Sequence, residues 1–326
     1  MSRDHPIQRD AYEQALPESK AIHRRTGKTF YYATRVLPER VREATYVLYA
    51  FFRVADEIVD DPDGAPPAEQ RRRLRALREA ALGREPTDDP VLRAFSALRE
   101  RYAIPDEEVE TFVDAMLSDV ETDRYETYED LVAYMRGSAA AVGVMMTCVM
   151  EPDDPAAALP HARALGEAFQ LTNFVRDVGE DVAERGRVYL PETTLEACGV
   201  DRAQLERREM GPGVAAAVER ELRRAETLYR EGVAGIEHLP ADCQFPVLLA
   251  AVLYADHHRL IREQGFDTLT ATPQLSTLRK VSLVARTRWH WTWNKDPEAV
   301  FARVSAVPTG TVTRTDRGRP DPVPVR

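Results

Sequence analysis

The stretch that decides the fold is Tyr46–Asp61, YVLYAFFRVADEIVDD. It opens as an apolar run and closes on Asp56, Glu57, Asp60 and Asp61. Residues four apart on a helix lie one above the other. Asp56 and Asp60 therefore share a stripe with Tyr49 and Arg53, while Phe51, Val54 and Ile58 run down another face. Taken alone, two aspartates at this spacing suit a solvated helix face. Gln170–Asp181, QLTNFVRDVGED, repeats the arrangement: Asn173, Asp177 and Asp181 follow at four-residue steps, and Gln170 extends the stripe by a turn. Leu171, Phe174, Val175 and Val178 fill its other faces.

If both stripes face inward, their carboxylates converge on one cavity. Buried without partners, each costs several kcal/mol, and Arg53 and Arg176 are too few to offset them. A hard divalent cation, Mg²⁺ or Mn²⁺, suits such oxygen donors, being held by one or two carboxylates and completed by substrate phosphates. The acids then mark the mouth of an apolar cavity whose ligand is a diphosphate with a hydrocarbon tail. Ionising an allylic diphosphate calls for metal ions to neutralise the leaving pyrophosphate. The carbocation left behind calls for a dry, apolar site.

The chain of 326 residues carries a net charge of −10, which argues against a nucleic-acid partner. Cys148, Cys198 and Cys243 lie far apart with no ligand spacing, so neither a disulfide framework nor structural zinc is expected. The polar N-terminus MSRDHPIQRD lacks the apolar core of a signal peptide, and the expected location is the cytoplasm. An excess of arginine over lysine, with abundant acids, suits a high-salt or GC-rich source. The low-charge run Gly137–Met150 is too short to span a bilayer and reads as a buried helix with small residues for close packing.

Strand signals are nearly absent. Helical periodicity predicts helices over 8–25, 38–60, 67–82, 88–102, 106–122, 128–150, 155–183, 213–237, 243–263 and 275–293, several opened by proline. The expected fold class is all-α: a single helical bundle around a central cavity over residues 1–305, followed by a disordered tail from Ala306. Some features have plainer readings. Arg53 can pair with Glu57 one turn on. Tyrosines such as Tyr49, Tyr134 and Tyr254 are by default core residues. His257 and His258 read as a solvated pair. Trp289 and Trp293 share a helical face, for which inter-helix packing is the default and anchoring at a membrane surface the sharper alternative.

Together these residues resemble the squalene/phytoene synthase family of head-to-head prenyl transferases, and within it the phytoene-forming branch, over roughly Ile22 to Arg288. The carrying segments are TGKTFYYATRVLPERVREATYVLYAFFRVADEIVDD, YMRGSAAAVG and GEAFQLTNFVRDVGEDVAERGRVYLP, in that order. The resemblance implies an isoprenoid-synthase-type helical domain. It implies Mg²⁺ on Asp56 and Asp60 on one side and on Asn173, Asp177 and Asp181 on the other. Lys28, Arg53 and Arg176 would contact diphosphate, and Thr29 and Phe30 would contact substrate. Tyr49, Tyr134 and Gln170 would lie near the reacting carbons, and Tyr254 matches another site tyrosine. The implied reaction joins two geranylgeranyl diphosphates through a cyclopropyl diphosphate to phytoene, without NADPH. The alternatives are squalene or dehydrosqualene formation from farnesyl diphosphate, and a non-catalytic relative serving in assembly or binding. Further implied partners are downstream carotenoid enzymes and a membrane surface that takes up the product. Two departures stand out: RRTGKTF lacks the Ser or His often found before the basic residue, and Arg279 and Lys280 are the candidates for the late positive charge.

Overall fold

Prolines and short polar caps start most of the helices. The structure, a computed structural model, describes residues 34–60 and 64–309. The expected helix over 8–25, together with Lys28, Thr29, Phe30 and Asp61, lies outside the described residues. Helix α1 (Glu39–Val59) begins after Pro38 and α4 (Asp106–Asp119) after Pro105. Helices α2 (Pro67–Ala81), α3 (Pro90–Arg101) and α6 (Pro155–Arg176) carry proline in the first turn, where the missing N–H costs no hydrogen bond. Asp89 and Asp154 accept the free N–H groups of α3 and α6. Thr127 and Asp130 form a reciprocal capping box at the start of α5 (Tyr128–Met150). The second half contains α7 (Glu192–Ala197), α8 (Arg202–Glu206), α9 (Pro212–Ala234), α10 (Ala241–Glu263), α11 (Thr277–Trp293) and α12 (Pro297–Val304). Among the described residues the β-structure is one isolated bridge between Arg124 and Val188.

Helices α5 and α6 lie at the centre and meet backbone to backbone. A Cβ on Gly143 would come within 2.3 Å of the Ala162 carbonyl oxygen, and one on Gly166 within 2.5 Å of that of Ala139. Around this pair the apolar side chains form three clusters among the described residues. One lies under α1–α5, where Phe51 and Phe95 stack at 3.8 Å. One joins α6 to α9–α12, and the third gathers around Val175, Leu190 and Ile261. Helix α5 is 23 residues long and apolar enough by composition to cross a membrane, but 56% of its most apolar window is buried within the protein. Its close packing on α4 and α6 makes it a core helix.

The structure departs from the sequence pattern in several places. The helix expected over 155–183 stops at Arg176, and Asp177 leaves helical geometry at φ −104°. A short turn (Val178–Glu180) and a π-turn (Asp181–Arg185) follow. The break has a tertiary cause: the Gly179 N–H donates to the Thr268 carbonyl at 3.0 Å, and a Cβ there would lie 2.0 Å from the Leu269 oxygen. The i to i+4 bonds Asp177 N–H to Asn173 O and Asp181 N–H to Asp177 O still hold the acids in register. Helix α5 likewise carries a π-turn over Arg136–Ala140, an insertion that often re-aims side chains at functional sites. Helices α7, α8 and α12 are too short for periodicity to reveal, although Asp201 and Asp296 cap the last two. The tail expected from Ala306 begins with packed residues: Ala306 accepts from Arg262, and Val307 is buried in the second cluster. Residues 310–326 lie outside the described residues.

His257 and His258 are not solvated. Both are buried in α10, and His258 sits between α6 and α9. Its Nε2 pairs with Thr172 Oγ1 at 2.9 Å, and its Nδ1 lies 3.4 Å from Glu226, which also pairs with Arg262. Desolvation holds His257 down at about 4 and lowers His258 as well. Thr172 and Glu226, from other helices and far away in the sequence, make the site habitable for His258, while His257 pairs with the Tyr254 carbonyl of its own helix at 3.0 Å.

Substituting Gly166→Ala tests the central contact. Alanine favours a helix interior by about 1 kcal/mol over glycine, whereas overpacking costs roughly 1–3 kcal/mol. A lowered melting temperature in circular dichroism is expected; a raised one would show that α5 and α6 can move apart freely.

Candidate active site

Both acidic stripes open onto one cavity of about 340 Å³. Helix α1 supplies Arg53 and Asp56 and its C-cap Asp60, and α6 supplies Gln170, Asn173 and Arg176 and its C-cap Asp177. Asp181 follows from the π-turn, and Tyr134 and Ser138 come from α5, on either side of where its own π-turn begins. Phe52, Phe112, Met116, Val142 and Phe174 form the apolar part of the wall. Tyr49 and Tyr254 do not line this cavity. Tyr254 is buried with its ring 4.9 Å from Phe169. Burial pushes its hydroxyl up to about 12, with Arg176 opposing and Tyr49 adding to the shift.

A third acid, Asp119 of α4, enters the same cavity. It is buried and accepts the Tyr134 hydroxyl hydrogen bond at 2.7 Å. The sequence carried a signal for it. Asp119 continues the Phe112–Met116 face of α4, an acid on an apolar stripe, but without a partner at four-residue spacing it does not stand out. Two arginines after the second stripe also face inward. Arg185 donates to Asp181 at 2.7 Å and lies 3.9 Å from Asp60, so it spans both stripes. Arg187 lies 3.7 Å from Asp60 and donates to the Asp119 carbonyl at 2.8 Å. Arg53 pairs with Glu57 at 3.2 Å, as the plainer reading holds, and lines the cavity as well. Arg176 clasps Asp177 at 2.7 and 2.5 Å. Arg279 is spent elsewhere: it forms a two-pronged pair with buried Asp256 at 2.9 and 2.6 Å, so it is not the late cavity charge.

Enclosure raises the acids. Asp56 faces the open cavity with 46% of its side chain accessible, and desolvation by the surrounding helices pushes its carboxyl up to about 7 against the pull of Arg53. Desolvation also lifts Asp119 to about 6, opposed by the Tyr134 hydrogen bond, and Asp181 to about 6, opposed by Arg185. The Asn173 side-chain oxygen and one oxygen of Asp119 are buried with no hydrogen-bond partner. Among the described residues no three His, Cys, Asp or Glu side chains enclose an ion by themselves. Facing carboxylates plus an orphaned amide oxygen fit a divalent ion that needs further oxygen ligands from a phosphate and water. Above this polar rim, Tyr189 stacks on Phe174 at 4.0 Å and stands 6.1 Å from Tyr134. Such aromatic faces attract a cation and repel water.

The squalene/phytoene synthase profile matches residues 23–283. The chain belongs to the squalene/phytoene synthase family. It is accordingly a prenyltransferase-type enzyme with the all-α isoprenoid synthase fold. The phytoene synthase of Rhodobacter capsulatus is 38% identical over 266 residues, covering 80% of this chain and 77% of the relative. The 15-cis-phytoene synthase of Synechococcus elongatus is 31% identical over 82% of this chain and 90% of its own. A crystal structure of a dehydrosqualene synthase superposes with TM-score 0.78 at 28% identity, covering 88% of this chain and 100% of that one. A squalene synthase from Alicyclobacillus acidocaldarius superposes with TM-score 0.70 at 26% identity, covering 80% and 97%.

The raised carboxyls would make metal binding at this site depend on pH. A divalent ion held there would compete with protons for Asp56 and Asp181, so Mg²⁺ affinity measured by titration calorimetry should rise as pH passes through about 6 to 7 and then level off. A flat affinity across that window would exclude these acids from the ion. Stability runs the other way. Carboxyls whose ordinary value is 3.8 bind protons more tightly here than in the unfolded chain. Their contribution is complete below about 4 and is lost as pH rises through 6 to 7. The metal-free protein should therefore melt at lower temperature at pH 8 than at pH 5 (about these values) as far as these groups decide it, and Mg²⁺ should oppose the loss.

Proposed function

We propose that the chain joins two molecules of geranylgeranyl diphosphate head to head and releases phytoene. The observation that carries this reading is the facing pair of acidic stripes around one cavity, with arginines between them and an aromatic wall behind. The relatives named phytoene synthase, at 31–38% identity, support the C20 substrate.

Asp56 and Asp60 would hold Mg²⁺ from one side, and Asn173, Asp177 and Asp181 from the other. Mn²⁺ is the natural substitute. When bound, the metal neutralises the diphosphate and makes it a better leaving group. The protein's own side chains do the rest. Arg53, Arg176, Arg185 and Arg187 offer planar forks to diphosphate oxygens. Lys28 and Thr29 of the opening motif would join them, with Phe30 against the tail. As the C1–O bond of one substrate breaks, Phe174, Tyr189 and Tyr134 flank the allylic cation and exclude water. The C2–C3 double bond of the second substrate attacks C1, and a proton leaves to close the cyclopropyl diphosphate. Loss of the second diphosphate, rearrangement and loss of a further proton give the hydrocarbon. Asp119 holds the Tyr134 hydroxyl, so Tyr134 can orient a water or the released pyrophosphate that takes the proton. Gln170, and Tyr49 with Tyr254 behind Arg176, would shape the site around the reacting carbons. No reductant enters this sequence, so NADPH is not required. The enzyme would work in the cytoplasm, peripherally at a membrane, and hand its insoluble product to downstream carotenoid enzymes.

A second reading, C30 product from farnesyl diphosphate, is favoured by the solved structures named dehydrosqualene and squalene synthase. The test supplies each diphosphate with Mg²⁺, with and without NADPH, and identifies hydrocarbons by chromatography and mass. A C40 product from the C20 substrate, independent of NADPH and abolished by chelator, is expected. A C30 product alone would transfer the assignment to the second reading. Asp177→Asn should lower turnover by about 10²–10³-fold, the scale of removing one preorganised electrostatic group, while leaving the helical circular dichroism intact; unimpaired turnover would remove Asp177 from the site.

A further inference from the structure

Helix α11 buries one face and leaves the other bare. Leu283, Thr287 and Trp291 point inward, and Trp291 packs on Phe245 at 6.3 Å between ring centres. On the opposite side Leu278, Val281, Trp289 and Trp293 are 84%, 62%, 64% and 75% exposed. Apart from Val36, these are the large apolar side chains exposed among the described residues. At 100° per residue they fall on one stripe, completed by exposed Ala285, and the two indoles meet edge to face at 6.1 Å.

The stripe carries a charge signature opposite to that of the whole chain. The protein has net charge −10, yet Thr268–Lys295 contains no acid and five basic residues: Arg279, Lys280, Arg286, Arg288 and Lys295. Arg279 is committed to Asp256. Arg286 and Arg288 flank the apolar stripe on opposite sides, both exposed, and neither pairs with a described carboxylate. Lys295 extends the basic margin beyond the last tryptophan. A core helix needs no such margin, and an interface with a second copy of so acidic a protein gives no reason for removing every acid here.

We propose that the outer face of α11 docks the protein onto an anionic phospholipid bilayer. Indoles settle at the level of the lipid headgroups, leucine and valine enter the acyl boundary, and arginines meet the headgroup phosphates. The helix lies in the membrane plane with its buried face still on the protein. This surface serves the insoluble hydrocarbon of the proposed reaction, but its binding needs no turnover, so the two readings stand or fall separately.

The test is co-sedimentation of the purified full chain with vesicles of phosphatidylcholine alone and of phosphatidylcholine with phosphatidylglycerol, alongside tryptophan emission. Expected is binding to the anionic vesicles with a blue shift, weakened by added salt as surface charge is screened. Trp289→Ser with Trp293→Ser, and separately Arg286→Glu with Arg288→Glu, should each weaken binding by about tenfold or more. Prenyl transfer in detergent should be unchanged in both, since none of these residues touches the cavity. Before vesicles are added, iodide should quench the exposed indoles. Several results would overturn the proposal: no vesicle binding, binding that both double variants retain, indoles shielded by residues 1–33, or a dimer that the tryptophan variant dissolves.

Discussion

The constraint on which the structure turns is the enclosure of carboxylates by apolar helices. Asp56, Asp119 and Asp181 stand in one cavity wall, and desolvation lifts all three toward neutrality. Arg53, Arg185 and Arg187 supply only part of the opposing charge, at distances of 2.7 to 4.0 Å from the acids. In the proposed reading such a site would take a dication and a polyanion together, because each lowers the cost of burying the other. The same enclosure that makes the acids costly is what a reactive carbocation needs.

Holding the acids face to face is the task of the central helix pair. Gly143 and Gly166 let α5 and α6 approach until backbone meets backbone. The π-turn at Arg136–Ala140 places Tyr134 and Ser138 on the cavity wall. Behind α6, Thr172 is pinned by His258 and lies 3.2 Å from the Tyr229 hydroxyl. Thr172 immediately precedes Asn173, so a buried polar network fixes the register of the second acidic stripe. Such networks act as positioning devices when every member finds a partner.

Much of the fold was legible because its signals are local. Proline starts, capping residues and apolar periodicity located the described long helices to within a few residues, the end of α6 apart, since all act within a turn or two. The two stripes at four-residue spacing were legible for the same reason, and together with YMRGSAAAVG they carried the family resemblance. Arg185 and Arg187 were not legible as cavity residues, because their loop has no period and its direction depends on what Asp60 and Asp119 offer. The break at Asp177 was hidden as well: it arises where Gly179 meets Thr268 and Leu269, some ninety residues on.

The sequence by itself determined that the chain is helical, that its acids fall on helical stripes, and that the stripes belong to this family. These properties follow from backbone geometry and residue spacing. Only the tertiary structure decided which polar residues go inside. His258 is buried because Thr172 of α6 and Glu226 of α9 converge on α10 from elsewhere, and Asp119 enters the site because α4 packs against α1 and α5. The tryptophans Trp289 and Trp293 remain outside because α11 buries only the face of Trp291. Burial is a property of neighbours, and neighbours are set by how helices pack, which no single helix encodes.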